Sequence, residues 1–205
     1  MNVTSNVTVR SGLVMLALWA VPLVDAQATD STHAVPVLTL IDAVAKKTGK
    51  HFVVDPRVNT DVTLVETDPA SIDYGQFLTI LQVNGLAAVD GDGLVRVVPD
   101  AVVRYLSLPI ASAKEDLPDA AYVTKVIHVR SVPAAQVVPL LRPLLPQQAH
   151  FAAFPCTNDL LIVDTVGNVK RIEALVQSLD TGAPFKPGNC AAQLETSGES
   201  KHRER

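Results

Sequence analysis

The sequence has 205 residues, of which 48% are hydrophobic and only 4% aromatic, and its formal net charge is −4 at pH 7. These values allow one medium domain or two small ones with an aliphatic core. Non-specific nucleic-acid binding needs clustered Lys and Arg against phosphate, and no long basic run is present. Composition therefore argues against a nucleic-acid-binding protein.

The N-terminus has the pattern of a secretory signal peptide. Arg10 precedes an apolar stretch at residues 11–24, which is shorter than the roughly 20 residues that a membrane span needs. Small residues offer two cleavage positions, after Ala26 or after Ala28. We expect residues 1–26 to be removed and the mature chain to be exported to the periplasm without a transmembrane segment. An uncleaved anchor or a buried helix is the alternative.

Cys156 and Cys190 are the only cysteines. Because export permits disulfides, the two form a candidate intramolecular disulfide. Two free thiols, or pairing with a partner chain, are the alternatives. On the chain-entropy model, closing a loop of this size contributes roughly 3–4 kcal/mol.

The first folded region is predicted over residues 36–99, after a polar linker at 27–35. Its apolar periodicity gives the order α-β-β-α-β-β. Leu38, Ile41 and Val44 fall on one face of the first helix, and Gly49 follows its last turn. The region ends in a hairpin around Asp90-Gly91-Asp92-Gly93, where glycines supply positive φ.

A linker is predicted over residues 100–120, which contain Pro109, Pro118 and a charged cluster. An edge strand within 102–110 is the alternative for the first part of this segment.

The second region, residues 121–181, is predicted to fold as β-α-β-β-α, the topology of KH domains. Its first helix begins near Pro133 and should be bent or broken by Pro139 and Pro143. Its last helix carries a buried stripe that includes Val169, Ile172 and Val176. The tail at 182–205 is too polar to fold alone. The fold class is α+β, built from two small mixed modules.

No motif for catalysis, metal binding or a cofactor is present. The five histidines lack zinc-site spacing, and Asp90-x-Asp92-Gly93 lacks the remaining ligands of a calcium loop. Recognition of RNA by a KH domain needs a GXXG loop. The corresponding connection, residues 142–149, contains no glycine. We therefore expect no cofactor, no nucleic-acid partner and no enzymatic activity.

Residues 43–65 and 77–100 resemble the N0 domain of the type II secretion secretin, the outer-membrane D component. The matching features include Thr48-Gly49-Lys50 and the strand followed by Asp55-Pro56-Arg57-Val58. Residues 122–180 resemble the N1 domain that follows N0 in these secretins, including its proline-containing helix. The resemblance implies stacked periplasmic rings, contact of N0 with the inner-membrane C component, and packing of N1 against its neighbours.

Two departures from the family pattern are expected. Polar residues 28–34 stand where the family opens N0 with an apolar strand, so a sheet edge should be missing or supplied differently. No Gly-rich, amphipathic barrel segment follows the N1-like module. The sequence thus predicts a stand-alone, non-enzymatic N0–N1 protein.

We expect this protein to act as an accessory or assembly subunit that docks onto the secretin ring or the C component, and it could also form a homo-oligomer. Arg57, Lys170 and Arg171 are the charged interface candidates, beside the aliphatic strands at 123–129 and 160–163. A signalling module like that of TonB-dependent receptors is the alternative. Two further hypotheses are that the protein is a small α/β enzyme or a decaying paralogue.

Overall fold

A computed structural model describes residues 32–65, 67–112 and 116–186. The predicted signal peptide, residues 27–31 of the predicted N-terminal linker and residue Cys190 lie outside the described residues. Within the described ranges, no helix is both long and apolar enough to cross a membrane.

The fold is α+β, as predicted, and consists of two modules in chain order. The first contains β1 (Thr32–Pro36), α1 (Val37–Thr48), β2 (His51–Val54), β3 (Asp61–Val65), α2 (Tyr74–Val83), β4 (Leu86–Gly91) and β5 (Leu94–Pro99). The second contains β6 (Tyr122–His128), α3 (Ala134–Leu141), β7 (His150–Phe154), β8 (Asp159–Thr165) and α4 (Val166–Leu179). Short 3-10 helices occupy Pro69–Ser71, Asp100–Tyr105 and Arg142–Leu144.

The first module has two small sheets. β1 pairs antiparallel with β3, while β2, β5 and β4 form a sheet in that order, with β2 parallel to β5. Helix α1 buries Val37, Leu40, Ile41 and Val44, which repeat at i, i+3, i+4 and i+7. The expectation that Leu38 is buried was wrong. Val37 is the first residue of the buried stripe of α1, and Leu38, one residue later, is 54% exposed.

The sheet edge that was expected to be missing or supplied differently is present, in the polar segment itself. β1 runs through the polar segment and pairs Val35 with Val62 and His33 with Leu64. Strand pairing is made by backbone groups, so an edge strand does not require a continuous apolar sequence. Val35 is buried in the same apolar cluster as Val62 and Leu64.

The hairpin turn lies where it was predicted, whereas the cap of the second helix, which the sequence placed at Asp68 or Ser71, is made by Asp73. The β4–β5 hairpin turns at Asp92 and Gly93, whose φ angles of 54° and 78° are those of a type I′ turn. Helix α2 begins at a capping box, in which Asp73 accepts from the Gln76 N–H and the Gln76 side chain accepts from the Asp73 N–H.

The second module is an antiparallel sheet in the order β6-β8-β7, with α3 and α4 packed on one face. Pro133 is the residue before α3, and Pro139 lies within this eight-residue helix. The 3-10 helix that contains Pro143 follows at once. The predicted proline-containing helix is present, but it runs through Pro139 and ends before Pro143.

The segment predicted as a linker is partly packed. Val103, in the 3-10 helix Asp100–Tyr105, is buried in a third apolar cluster. The other buried members of this cluster are Ala87, Val89, Val98 and Tyr122. Farther along the segment, Ile110 makes a strand-like contact, a parallel bridge to Thr124. Because Tyr122 belongs to β6 and the other members precede it, this cluster joins the two modules.

Candidate protein-docking surfaces

The sheet of the second module leaves one face without a helix. One row of side chains across its three strands consists of Val126, Leu161 and Ala152. Phe154 lies two residues beyond Ala152 on β7, on the same face. We call Val126, Ala152, Phe154 and Leu161 the open sheet face. Val126 is 53% exposed and Phe154 is 57% exposed. Exposed apolar side chains grouped on one sheet face are typical of a protein-docking surface.

The predicted strands at 123–129 and 160–163 contribute unequally to this face. Val123 and Ile127 point into the core from β6, and Leu160 and Ile162 do so from β8. Only the alternate residues remain available for contact, as the period of a strand requires.

A polar pair borders the open sheet face. His128 Nδ1 lies 2.8 Å from Asp159 Oδ1, across the β6–β8 register. The Thr157 hydroxyl also donates to Asp159, and this hydrogen bond, followed by that of His128, lowers the pKa of the Asp159 carboxyl. The pair gives the apolar face a polar rim at the β7–β8 turn.

The first module offers a second exposed surface, on the outer side of β2 and β5. Val53 is 51% exposed and lies opposite Arg96 in the sheet register. The Nε atom of Arg96 is buried and has no hydrogen-bond partner within the described residues. A buried N–H without an acceptor costs roughly 1–3 kcal/mol. An acceptor oxygen from a bound partner would relieve this cost.

The predicted interface residue Arg57 lies in the turn after β2. Its Nε and Nη2 donate to the two carboxylate oxygens of Asp55, at 2.9 and 2.8 Å. These hydrogen bonds, with one from the Arg57 backbone N–H, lower the pKa of Asp55 to about 2. The guanidinium is exposed but already satisfies a carboxylate in its own turn.

Lys170 and Arg171 are consecutive residues on α4, in the other module from Arg57, so the structure does not bring the three candidates together. Lys170 Nζ lies 2.9 Å from Asp119 Oδ1. Arg171 Nη2 donates to the Leu144 carbonyl at 2.6 Å, at the end of a 3-10 helix. Both cations hold neighbouring segments of the chain, and their role in an interface stays a prediction.

Cys156 lies half-buried in the turn between β7 and β8. Cys190 is outside the described residues, so the candidate disulfide also stays a prediction.

Asn158, which the sequence analysis did not single out, organises the same turn. It is 2% exposed and has a φ of 59°. Its Nδ2 donates to the carbonyls of Val129 and Val132, and its Oδ1 accepts from the N–H of Ala134. Asn158 thus accepts a hydrogen bond from a backbone N–H in the first turn of α3, although the two residues are far apart in the sequence. Its only sequence signal is the tolerance of Asn for positive φ.

Asp180 plays a similar role after α4. Its carboxylate accepts from the backbone N–H groups of Arg130, Ser131 and Val132. Burial acts to raise the pKa of Asp180, but these three hydrogen bonds lower it overall. The contact ties the end of α4 to the end of β6.

A polar contact also crosses between the modules. Gln148 Nε2 donates to Asp100 Oδ2, beside the buried ring of Tyr122. Burial raises the pKa of Asp100. Burial also raises the pKa of Tyr122 to about 12, with the charges of Asp100 and Asp164 adding to the effect. The sequence gives no sign of this contact, because its partners are 48 positions apart.

The described part of the chain contains no group of three His, Cys, Asp or Glu residues placed to hold a metal ion. A groove of about 210 Å³ lies between the modules and is lined by residues that include Lys50, Tyr74 and Asp90. The Tyr74 hydroxyl and Lys50 both bond to Asp90, at 2.8 and 2.9 Å. The polar groups of Lys50, Tyr74 and Asp90 in this groove are thus engaged with one another.

Comparison with known proteins identifies both modules. Residues 33–97 match the family model of the GspD-like N0 domain. Residues 124–184 match that of the bacterial type II/III secretion system short domain. The module order and the fold are those of secretin N-terminal domains, and the chain belongs to this family of the type II secretion system.

The secretin XcpQ of Pseudomonas aeruginosa is 34% identical over 181 residues, covering 87% of this chain and 25% of XcpQ. The secretin GspD of Vibrio cholerae is 26% identical over 145 residues, covering 68% of this chain and 22% of GspD. The chain thus spans about a quarter of the length of these relatives.

A solved structure of the Klebsiella pneumoniae type II secretion system outer membrane complex, with PulD, PulS and the PulC HR domain, also matches. It aligns with a TM-score of 0.63 and 26% identity, covering 74% of this chain and 26% of that one.

Proposed function

We propose that this protein is a non-enzymatic accessory or assembly subunit of a type II secretion system, acting in the periplasm by protein–protein docking. The observation that carries the proposal is the pair of secretin N domains, together with the exposed apolar side chains Val126 and Phe154 on the open sheet face and Val53 in the first module. Its partners would be the secretin ring, the inner-membrane C component, or further copies of itself.

The physical basis of docking is the removal of the open sheet face from water. Burial of apolar surface contributes about 25 cal/mol per Å². The His128–Asp159 pair at the rim and the unsatisfied Arg96 Nε in the first module would add orientation, because polar groups at an interface select the partner and its register.

The similarity to the Klebsiella complex supports the choice of partners, since PulD is present there together with the PulC HR domain. Export through the predicted signal peptide would place this chain in the same compartment as such partners. The charge of −4 is consistent with a protein partner rather than nucleic acid.

Crosslinking in intact cells, followed by purification of a tagged chain, tests the proposal. Recovery of the secretin or of the C component is expected. Val126→Asp and Phe154→Asp should each reduce the recovered partner at least about tenfold, because a charge would be buried at the interface. The matched control is Val83→Asp at the end of α2, where the side chain is 81% exposed and away from the sheet face. Absence of both machine components from the crosslinked product would overturn the proposal.

The signalling-module alternative is not favoured, because it uses an N0-like domain alone and leaves the short domain at residues 124–184 without a role. Recovery of an anti-sigma regulator in the same experiment would support it instead.

A further inference from the structure

Strand β2 forms an outer edge of its sheet in the first module. The strand order is β2-β5-β4, and within residues 32–65, 67–112 and 116–186 only β5 pairs with β2. Its sequence, His51–Val54, contains neither Lys nor Pro, two residues with which natural proteins protect an edge. The free side of β2 is therefore suited to accept another strand.

The backbone of β2 shows which of its groups face the free side. The Asp55 N–H, which directly follows the strand, donates to the Val97 carbonyl of β5 at 2.9 Å. Successive residues of a strand direct their backbone groups to opposite sides. Val53 therefore bonds to β5 as Asp55 does, whereas Phe52 and Val54 direct their N–H and C=O groups away from β5. In the described part of the chain, no residue bonds to these outward groups.

The side chains of this edge divide between two faces. Those of Phe52 and Val54 pack against the core of the first module. Those of His51, Val53 and Asp55 therefore lie on the outer face. His51 is exposed, and Val53 is 51% exposed. The outer face of the edge thus carries an imidazole, an aliphatic side chain and a carboxylate at alternate positions.

We propose that β2 pairs antiparallel with β2 of a second copy of this chain, across a two-fold axis at Val53. Phe52 then lies opposite Val54 of the second copy, and Val54 lies opposite its Phe52. Each of these pairs exchanges two backbone hydrogen bonds, so every outward group of both strands is satisfied. Because both copies use the same strand, the contact is isologous and closes with two copies.

Charge complementarity on the outer face selects a second copy as the occupant of this edge. The axis at Val53 places His51 opposite Asp55 of the second copy and repeats the pair on the other side of the axis. An imidazole N–H can donate to a carboxylate, and the Asp55 carboxylate, although bonded by Arg57, has lone pairs left to accept. Val53 packs against its own counterpart, which removes exposed apolar surface from water.

The register of the pairing is fixed by the residues next to the strand. A shift of two residues in one direction places Phe52 opposite Pro56, which has no N–H to donate. A shift in the other direction places Val54 opposite Lys50, whose N–H is bonded to the Thr48 hydroxyl at 3.3 Å. Only the proposed axis leaves every paired residue with both of its backbone groups available.

The dimer would join two three-stranded sheets into one of six strands and would protect both β2 edges. It would also carry two copies of the open sheet face, so two weak contacts with a partner could act together. The pairing itself requires no secretion component.

Sedimentation of the purified exported chain alone, in reductant and over a range of concentrations, tests the inference separately from the proposed secretion role. A reversible monomer–dimer equilibrium is expected. His51→Asp places carboxylates opposite each other at both ends of the pairing and should raise the dissociation constant at least about tenfold. His51→Lys keeps opposite charges and should leave the constant unchanged or lower it. Val65→Asp is the matched control, because Val65 is 60% exposed on β3 in the other sheet.

A mixture of two variants tests the pairing of positions 51 and 55. Asp55→Lys should weaken the dimer as His51→Asp does, because it places a cation opposite His51. An equimolar mixture of these two variants should recover a dimer, since the new carboxylate then lies opposite the new ammonium group. Circular dichroism must show that both variants are folded, because Asp55→Lys also removes the contact with Arg57.

Hydrogen exchange read by NMR at low and high protein concentration locates the contact. The amides of Phe52 and Val54 should exchange several-fold more slowly as the dimer forms. The amides of Val53 and Asp55 bond to β5 in the monomer as well, so they serve as an internal control and should not change.

Three results would overturn the inference. The first is a chain that stays monomeric up to about 1 mM. The second is a dimer that His51→Asp leaves intact and Val126→Asp dissociates, which would identify the open sheet face as the contact. The third is a dimer in which the amides of Phe52 and Val54 exchange as fast as in the monomer.

Discussion

Asn158 takes a left-handed backbone conformation while its side chain makes three hydrogen bonds in a buried site. Asn158→Ala removes these bonds and leaves at positive φ a residue that tolerates this conformation less well than asparagine does. We expect the free energy of unfolding to fall by about 2–4 kcal/mol, measured by urea denaturation followed by circular dichroism.

Two variants separate the causes. Asn158→Gly removes the backbone penalty but not the loss of hydrogen bonds, so it should retain most of the destabilisation. Gln147→Ala, at an exposed position nearby, should change stability by less than about 0.5 kcal/mol. A loss below about 1 kcal/mol for Asn158→Ala would contradict the role assigned to this side chain.

Asp180 makes stability depend on pH. Burial opposes ionisation, but the three backbone N–H donors lower its pKa in the folded state. Near the ordinary pKa of about 3.9 and below it, the unfolded chain therefore binds more protons than the folded chain. The stability from this carboxylate is present above pH about 4 and is lost as pH falls through the lower folded pKa.

The comparison variant is Asp180→Asn. At pH 6 the wild type should be the more stable of the two, and the difference should shrink as the pH is lowered below about 4. Denaturation curves at several pH values measure it, with Asp61→Asn at an exposed position as control. A difference that does not change with pH would show that the charge of Asp180 is not involved.

At the scale of elements, α3 contains a proline in its interior, a residue that disfavours helix formation. Pro139 cannot donate to the carbonyl four residues earlier, yet it lies inside the helix. Pro139→Ala restores this donor, and we expect it to raise the free energy of unfolding by at least about 1 kcal/mol. Pro143→Ala lies in the first turn of the following 3-10 helix and should have a smaller effect. Equal effects in thermal denaturation would show that helix interruption is not the cause.

Local signals predicted most of these elements. Asp92-Gly93 specified a hairpin turn, and the spacing of Val169, Ile172 and Val176 identified the buried stripe of α4. β1 was missed because its pairing is made by backbone groups and its sequence is polar. Leu38 was misplaced because the sequence does not show which of two adjacent apolar stripes packs inward.

The sequence predicted the candidate docking surfaces less well than it predicted the helices and strands. The sequence analysis selected Arg57, Lys170 and Arg171 by their charge. In the structure, Arg57 bonds to a carboxylate in its own turn, and the other two bond to oxygens of neighbouring segments. The open sheet face depends on which side of a sheet the helices cover, and that is decided by tertiary packing. The same limit applies to Asn158, whose partners lie more than 20 positions away.

At the scale of the whole molecule, the two modules share structure that the sequence analysis treated as a linker. The cluster around Val103 and Tyr122 joins them, and the Gln148–Asp100 hydrogen bond lies beside it. A shared core holds the two candidate docking surfaces in a defined relation, so one partner could contact both surfaces at once.

This coupling predicts cooperative unfolding. In the wild type, one calorimetric transition is expected, with equal calorimetric and van't Hoff enthalpies. Val103→Asp buries a charge at the junction and should split unfolding into two transitions, because each module retains its own core. Val95→Ala, in the core of the first module, should lower the melting temperature without splitting the transition, since it leaves the junction intact. Two transitions in the wild type would show that the modules unfold independently and that the shared cluster does not couple them.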